Sequence, residues 1–393
     1  MSYELIEREL TKPSVFKDES KLFPDYVPVN LVHREEQLRR LASIFKVIIE
    51  NPGAVSQKAI LIGSVGVGKT AVSKRFGALI EEAARKRGVA LKYVHINCHR
   101  DRTLFLIMKK IAQTILPSLP ERGFSAQELF QVVWKALEDE GKYLLLALDE
   151  VDFLVTVSGE EPLYFLTRLA DEYLNRPQRI SLILISREPI FQLFDESTQS
   201  TLLHNIVKFE KYTPDQLYDI VKLRAEEAFV EGAVPDETLL LISDIAGKKG
   251  DARYALELLW RAGKYADYEY SRFVLPEHVR RAQSDVSPGF STAILRDLSK
   301  HEKLVLLAIA KTLKSKKSAY ATMGDVESVY KTLCEEYGEE PRKHTQFWEY
   351  IQNLKGIGLI STRISGPGFR GKTTLIGLIE LSTDSIEKEL SKI

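Results

Sequence analysis

A glycine-rich loop between an apolar run and a helical pattern constrains this chain more than any other feature. Residues 63–70 read Gly-Ser-Val-Gly-Val-Gly-Lys-Thr and fit the pattern G-x-x-x-x-G-K-[ST] at every position. The loop follows the apolar run 59–62, and helical spacing begins near Thr70. Glycines let backbone N–H groups turn inward around phosphate, and the helix N-terminus adds partial positive charge. This context disfavours a chance glycine-rich loop and predicts a nucleotide triphosphate site.

Two side chains of this loop carry the chemistry. In loops of this type the lysine, here Lys69, reaches the β- and γ-phosphates, and the hydroxyl of Thr70 coordinates Mg²⁺. The other predicted contacts come from the loop backbone, at Gly63, Ser64, Val65, Gly66, Val67 and Gly68. The predicted cofactors are therefore ATP or ADP together with Mg²⁺.

An acidic pair follows a later apolar run, 144–148, as Asp149 and Glu150. A carboxylate at the end of a buried parallel strand is costly unless something binds it, and the Mg²⁺ shell is the natural partner of Asp149. Glu150 is then placed to orient and deprotonate the attacking water. The alternative for this pair is a helix cap, which the presence of the phosphate-binding loop disfavours.

Short apolar runs separated by helical patterns predict a parallel, five-stranded α/β sheet with helices on its faces. The runs are residues 58–62, 91–96, 143–148, 180–185 and 206–209. We assign residues 1–210 to this nucleotide-binding domain. The charged first 20 residues are expected to be loosely ordered.

The next segment, residues 211–287, has helical patterns and no strand signal. Thr213 is a predicted N-cap, Pro214 takes the first helical position, and Gln216 completes a capping box. Further helical patterns span 237–246 and 251–265. We therefore expect a small all-α domain that ends near the break at Ser287-Pro288-Gly289.

Residues 288–393 form a third predicted domain. Ser299 and Glu302 predict a capping box at the start of one helix, and helical patterns follow at 322–337 and 344–355. Two strand patterns, 357–363 and 372–378, flank the glycine-rich turn 366–371. Three helices followed by a β-hairpin are typical of a winged-helix domain.

The helix pattern at 344–355 has one apolar and one polar face. Phe347, Ile351 and Leu354 should pack inward, whereas the opposite face carries Thr345, Gln346, Glu349, Gln352 and Asn353. Basic residues are concentrated around it, at Arg342, Lys343, Lys355, Arg363, Arg370 and Lys372. Such a surface is suited to phosphates and base edges of double-stranded DNA. The alternative is a solvated face of a protein-binding winged helix.

Bulk composition leaves nucleic-acid binding open, because 55 basic residues balance 55 acidic ones and any DNA surface must be local. Two cysteines, Cys98 and Cys334, fit a reducing compartment and offer no metal-ligand spacing. The N-terminus lacks an apolar signal region, and no stretch approaches the roughly 20 apolar residues of a membrane span. We expect a cytoplasmic, nucleoid-associated protein with no membrane partner.

Six short motifs occur along the chain, each once and in a defined order. They are residues 24–28 (PDYVP), 33–38 (HREEQL), the phosphate-binding loop, 96–98 (INC), 149–152 (DEVD) and 250–253 (GDAR). This order resembles the AAA+ ATPases, and in particular the archaeal origin-recognition initiators, relatives of the eukaryotic origin recognition complex and its cell-division-cycle partner. The resemblance runs from about residue 22 to the end. It implies an AAA+ domain, an all-α lid and a C-terminal winged helix.

The resemblance also implies roles for particular residues. The stretch containing Val29, His33 and Arg34 would line the adenine end of the nucleotide site, mostly through backbone. Arg253 in the lid would be the second sensor and act in catalysis at the γ-phosphate; a surface arginine of a helix is the alternative. An initiator-specific insertion, 98–123, would touch DNA through Arg100 and Arg102, unless these arginines are merely solvated.

The sequence departs from the family pattern at two places. The first sensor, usually an asparagine after the fourth core strand, is replaced by Arg187 beside Ser186. The arginine finger expected about ten residues later is missing, since the stretch reads Asp195-Glu196-Ser197-Thr198. A finger in trans can contribute ~10³-fold or more to the rate, so its absence predicts slow hydrolysis.

Three functions remain open at this point. The first is a replication initiator that binds origin DNA under ATP control, with a paralogous initiator and the replicative helicase as further partners. The second is a signal-transduction P-loop ATPase whose winged helix binds proteins. The third is a DNA-binding regulator that holds ATP as a structural ligand. Arg253 favours the first function, and the missing finger favours the second.

Overall fold

The computed structural model describes residues 6–7, 11–120, 123–168, 176–190, 199, 204–286, 293–365, 372–379 and 381–390. The chain divides into two compact units. One is Val27–Lys211, and the other joins Met1–Tyr26 to Tyr212–Ile393. The sequence-based division placed the N-terminal residues in the first domain, whereas the structure groups those that it describes with the lid and the winged helix.

The Val27–Lys211 unit is built on a parallel sheet of five strands in the order β2-β3-β4-β1-β5. The strands are β1 (Lys58–Ile62), β2 (Leu91–Asn97), β3 (Tyr143–Asp149), β4 (Ile180–Ser186) and β5 (Ile206–Lys208). The helices are α1 (Glu35–Glu50), α2 (Lys69–Arg85), α3 (Leu104–Ile115), α4 (Ala126–Asp139), α5 (Val151–Ser158) and α6 (Glu161–Arg168). The five predicted strands are confirmed within one residue at each end.

Both faces of this sheet are covered, which is why its strands read as continuous apolar runs. One face packs on α3 and α4 through residues such as Val94, Ile96 and Leu146. The other packs on α1 and α2 through residues such as Leu145 and Ile183. Since the carboxyl ends of parallel strands meet at one edge, β1, β3 and β4 bring their following loops together.

The lid consists of α7 (Pro214–Ala228), α8 (Asp236–Gly247), α9 (Ala252–Tyr268) and α10 (Pro276–Val286). The predicted capping box is confirmed: the Thr213 side chain accepts from the Gln216 N–H and the Gln216 side chain accepts from the Thr213 N–H. Sequence patterns gave no signal for α10 because it is a polar helix with few apolar positions.

The expectation of a loosely ordered N-terminus is wrong for residues 11–20, which pack on the lid. The Phe16 ring lies 4.5 Å from the Phe229 ring, centroid to centroid. The N–H of Val15 donates to the Asp267 carboxylate at 2.7 Å, and the N–H groups of Lys17 and Asp18 donate to a backbone carbonyl of α7. Because the segment is rich in charged residues, the sequence pattern did not reveal its two apolar contacts with the lid, Val15 and Phe16.

The winged helix contains α11 (Ala293–Asp297), α12 (Lys300–Lys316), β6 (Ala321–Thr322), α13 (Met323–Glu336), α14 (His344–Ile357), β7 (Ile360–Ile364), β8 (Thr374–Leu378) and α15 (Thr383–Leu390). The capping box of Ser299 and Glu302 is confirmed. The hairpin β7–β8 gains a third antiparallel strand, β6, which was too short to predict. The turn 366–371, with Arg370, lies outside the described residues.

A polar junction joins the lid to the winged helix. Arg280 of α10 is 2% exposed and donates to the carbonyls of Ser318 and Ala319. Asp244 of α8 accepts from the Tyr320 hydroxyl at 2.6 Å and from Arg363 of β7. These contacts explain why the lid and the winged helix belong to one compact unit.

Candidate functional site

The phosphate-binding loop connects β1 to α2, as the sequence predicts. Gly66 and Gly68 have φ of +75° and +90°, left-handed values that a side chain would strain. A Cβ at Gly63 would lie 2.5 Å from the carbonyl oxygen of Phe209, so only glycine fits there. The ammonium of Lys69 donates to the carbonyls of Gly63 and Ser64 at 2.5 and 2.7 Å. The lysine is thus folded over the loop.

Arg34 supports this loop from the outside. Its side chain donates to the backbone carbonyls of Val67 and Glu210, and its guanidinium lies over the Phe209 ring. The residue is only 5% exposed. Its contacts fix the loop backbone, which is a role that sequence reasoning did not assign to it. Of the other predicted adenine contacts, His33 has a left-handed φ of +63° and Val29 is exposed.

The Thr70 hydroxyl meets the acidic pair at the end of β3. It donates to the Asp149 carboxylate at 2.7 Å, and Asp149 is 2% exposed. Burial alone would raise the pKa of Asp149, but hydrogen bonds from His95 and Thr70 outweigh it and hold that pKa below its usual value. The carboxylate is therefore ionised at neutral pH.

Asp149 also has neighbours on β2 that sequence reasoning missed. The Nε2 atom of His95 lies 3.3 Å from the Asp149 carboxylate, and its Nδ1 lies 3.1 Å from the Tyr93 hydroxyl. The Tyr93 hydroxyl in turn lies 2.9 Å from the Ser73 hydroxyl of α2. A signal was present, because polar residues at alternate positions of a strand that flanks β3 share one face of the sheet.

Glu150 is the N-cap of α5 and has a left-handed backbone with φ of +58°. This conformation is rare for a residue other than glycine and asparagine. Its carboxylate accepts from the Asn97 amide at 3.2 Å and pairs with Arg187 at 3.4 Å. Arg187 also lies 3.7 Å from the Asp152 carboxylate and over the Phe153 ring. Arg187, the residue expected at the first-sensor position, thus pairs with the predicted catalytic glutamate.

The residues at this edge of the sheet fit Mg²⁺ and a nucleotide. The hydroxyl and carboxylate oxygens of Thr70 and Asp149 are the hard ligands that Mg²⁺ prefers. The buried hydroxyl of Ser186, opposite Ile62 at the start of the loop, has no hydrogen-bond partner among the described residues. A buried polar group of this kind fits a site that a polar ligand completes.

Two predicted elements of the site lie outside the described part of the Val27–Lys211 unit. Arg253 is exposed in the first turn of α9, within the other compact unit. The stretch Asp195-Glu196-Ser197-Thr198, where the finger is missing, lies outside the described residues.

In the winged helix, the apolar and polar faces of α14 are oriented as predicted. Phe347, Ile351 and Leu354 of α14 are fully buried. Lys343, Thr345 and Gln346 are exposed at the start of this helix, and Lys372 is exposed beside β8. Arg342 is exposed too, although its Nε donates to His301 at 3.0 Å.

Two residues of the predicted DNA surface are committed to contacts inside the protein. The guanidinium of Arg363 pairs with both carboxylate oxygens of Asp244, its Nε at 2.9 and 2.7 Å. The Asn353 amide donates to Glu302 at 3.3 Å. Asn353 is exposed, as the sequence predicts, but the sequence could not show either long-range partner. We therefore remove Arg363 from the predicted phosphate contacts.

The two arginines of the insertion are exposed beside α3. Arg100 lies 3.4 Å from the Asp101 carboxylate, and Arg102 donates to the His99 carbonyl at 2.7 Å. These local contacts leave both guanidinium groups at the surface. Their predicted contact with DNA stays a prediction.

Fold and site together define a P-loop ATPase of the AAA type that carries a lid and a winged helix, and the family comparisons agree. The family model described as "AAA domain" matches residues 56–194. The model "Cdc6 AAA+ ATPase-type lid domain" matches 218–284, and "CDC6, C terminal winged helix domain" matches 293–389.

A curated relative extends this agreement over nearly the whole chain. The "ORC1-type DNA replication protein 2" of Sulfurisphaera tokodaii is 42% identical over 384 residues, which cover 95% of this chain and 92% of the relative. The chain belongs to the family of ORC1-type DNA replication proteins, the replication initiators related to ORC1 and Cdc6. The resemblance seen in the motifs is thereby confirmed.

Solved structures give the same family. The crystal structure of Cdc6p from Pyrobaculum aerophilum matches with a TM-score of 0.86 and 31% identity, covering 96% of this chain and 98% of that one. The Aeropyrum pernix ORC1 protein in complex with DNA matches with a TM-score of 0.63 and 31% identity, covering 97% and 98%. The expected fold class is confirmed.

Two smaller observations concern the described residues. None of their helices is both long and apolar enough to cross a membrane. Cys98 and Cys334 are free and buried.

Proposed function

We propose that this chain is an ATP-regulated initiator that binds double-stranded DNA at replication origins. The observation that carries the proposal is one chain with two sites: a complete phosphate-binding loop facing Asp149 and Glu150, and a winged helix with an exposed polar face. Membership of the ORC1-type family supplies the process. One relative, the Aeropyrum pernix ORC1 protein, has been solved in complex with DNA.

In the nucleotide site, each of a few side chains has its own proposed role. The loop backbone and Lys69 bind the phosphates, and Lys69 exchanges its two carbonyl partners for phosphate oxygens. Thr70 and Asp149 hold Mg²⁺, which when bound neutralises phosphate charge. Glu150 takes the proton of the attacking water. Arg253, from the lid, is proposed to respond to the γ-phosphate.

Hydrolysis in this account is slow and serves to reset a switch. Glu150 must leave its ion pair with Arg187 before its carboxylate can meet the attacking water. No arginine stands in the stretch where the family carries its finger. We therefore propose that a paralogous initiator supplies the missing arginine, and that the replicative helicase is a downstream partner.

DNA binding is assigned to the winged helix. Lys343 and Lys372 lie at the surface next to the start of α14 and β8, where they can meet phosphates. Thr345 and Gln346 are exposed on the first turn of α14, where hydroxyl and amide groups read base edges. Arg342, Arg370, Arg100 and Arg102 are proposed as additional phosphate contacts.

Mapping the protein on the chromosome of its own cell tests this function. Crosslinking, immunoprecipitation and sequencing should place the strongest occupancy at sites where replication starts. The Gln346→Ala protein should lose these maxima while it keeps general chromosome association. Maxima at promoters, with none at replication start sites, would favour a DNA-binding regulator instead.

A further inference from the structure

A continuous hydrogen-bonded chain runs from the metal-binding aspartate back to the helix of the phosphate-binding loop. On α2, Thr70 and Ser73 lie one turn apart and so face the same side. Thr70 meets the Asp149 carboxylate at 2.7 Å, and Ser73 meets the Tyr93 hydroxyl at 2.9 Å. His95 connects the two ends, at 3.1 Å from Tyr93 and 3.3 Å from Asp149.

The direction of the hydrogen bond between His95 and Asp149 follows from the charge on Asp149. An ionised carboxylate only accepts, so the Nε2 of His95 carries the proton and donates. On the other side of the ring, Nδ1 hydrogen-bonds with the Tyr93 hydroxyl. Burial raises the pKa of Tyr93, so this hydroxyl keeps its proton. The Tyr93 hydroxyl also hydrogen-bonds with the Ser73 hydroxyl.

The sequence makes room for this chain. A Cβ at Gly77, the next α2 position on that side, would lie 2.2 Å from the Tyr93 ring, so only glycine allows the ring to pack there. Ser73 is fully buried, and the His95 side chain is only 14% exposed. Such a buried chain, with a partner on each ring nitrogen, fixes the ring orientation of the histidine.

We propose that His95 is a positioning residue of the Mg²⁺ site, holding the Asp149 carboxylate in its binding orientation. The Thr70 hydroxyl is itself a proposed metal ligand through its oxygen lone pair, and its O–H can go on donating to Asp149. His95 holds the same carboxylate from the neighbouring strand, with a contact that needs no part of the metal site. Side chains that hydrogen-bond to a metal ligand without touching the metal contribute about 10–100-fold to metal affinity. The inference rests on the proposed nucleotide function and deepens it.

Two substitutions of similar polarity separate positioning from packing. The amide nitrogen of His95→Gln replaces Nε2 and keeps a donor to Asp149. The amide of His95→Asn replaces Nδ1, so it keeps a polar neighbour for Tyr93 and loses the donor to Asp149. The pair therefore differs mainly in the contact that the proposal invokes.

The measurement is Mg²⁺-dependent binding of a fluorescent ADP analogue to the full chain, with a parallel titration in EDTA. His95→Asn should need about 10-fold more Mg²⁺ for half-maximal binding. His95→Gln should stay within about twofold of wild type. Affinity in EDTA should be the same for all three proteins, because Lys69 and the loop backbone are untouched.

Three results would overturn the inference. The first is equal Mg²⁺ requirement in the Asn and Gln variants. The second is an equal loss of affinity with and without Mg²⁺, which marks a role in folding alone. The third, should His95→Asn fail to fold, is an unchanged Mg²⁺ requirement in Tyr93→Phe, which removes the hydroxyl that orients the His95 imidazole and keeps the aromatic ring. If wild type itself binds no nucleotide, the proposed function fails instead.

Discussion

The nucleotide site and the proposed DNA-binding surface of the winged helix are built in opposite ways. In the nucleotide site the key side chains are buried and hold one another: Asp149 is 2% exposed and contacts both Thr70 and His95. On the winged helix, Lys343 and Gln346 are exposed on a single helix end. The first site is preorganised before a ligand arrives, whereas the second, in the proposed function, would gain its partners from the DNA.

This difference predicts how each site responds to substitution. A buried, preorganised site loses most of its function when one member is removed, because its partners are left unsatisfied. An exposed electrostatic surface loses affinity in small, roughly independent steps. The predictions below test this contrast, beginning with the largest effect.

Glu150→Gln should reduce ATP turnover roughly 10²–10⁴-fold while nucleotide affinity stays within about twofold, because the amide cannot accept the proton from water. Phosphate release under single-turnover conditions measures the first effect, and equilibrium binding measures the second. Glu161→Gln, an exposed position at the start of α6, is the matched control. Unchanged hydrolysis in Glu150→Gln would remove the catalytic role from this residue.

Lys69→Ala should weaken ATP and ADP binding roughly 10–100-fold, the value of one or two charge-assisted hydrogen bonds. Calorimetric titration with each nucleotide in Mg²⁺ measures it. Lys86→Ala, after the end of the same helix, removes an exposed lysine that pairs with Glu82 and should have no effect. Equal affinities in the two variants would mean that the loop does not hold the phosphates in the proposed way.

Lys343→Ala combined with Lys372→Ala should weaken binding to any duplex and reduce the slope of log affinity against log salt by about 1–2, or 0.9 per lost contact. A salt titration by fluorescence anisotropy measures this slope. Gln346→Ala should leave the slope unchanged and reduce preference between sites. Lys311→Ala, whose lysine pairs with Glu336 elsewhere on the domain, is the charge control. An unchanged slope in the double variant would favour a protein-binding winged helix.

Arg363→Ala should behave differently from the other basic residues of the winged helix. It should lower the free energy of unfolding of the lid and winged-helix unit by about 1–2 kcal/mol, since it breaks charged hydrogen bonds to Asp244. The salt slope of DNA binding should stay as in wild type. Urea denaturation and the duplex titration on one preparation check both. A lower slope with unchanged stability would return Arg363 to the DNA surface.

The same contrast explains how much the sequence alone could predict. The five strands, the capping boxes at Thr213 and Ser299, and the loop at 63–70 depend on local chemistry, and the structure agrees with all of them. The ion pair of Arg363 and the contact of His95 with Asp149 were missed because they depend on partners far away in sequence. Asp244 lies 119 positions from Arg363, and no local pattern announces the pair.

The N-terminal segment is a second case in which local sequence did not show the long-range contacts. Its charge pattern predicts a loosely ordered segment, yet Val15 is 4% exposed and Phe16 packs on Phe229 of the lid. Two apolar side chains are enough to anchor a segment when a complementary groove exists. That groove is made by Gly263, where a Cβ would lie 2.3 Å from the Phe16 ring.

The most direct test of the central claim is duplex affinity of the full chain, measured on origin DNA with Mg²⁺-ATP and with Mg²⁺-ADP, in wild type and Lys69→Ala. We expect wild-type affinity to differ between the two nucleotides by about 5–150-fold, the usual range of coupling between two sites. The difference should vanish in Lys69→Ala. Identical wild-type affinities in ATP, ADP and no nucleotide would contradict an ATP-controlled switch and leave ATP as a structural ligand.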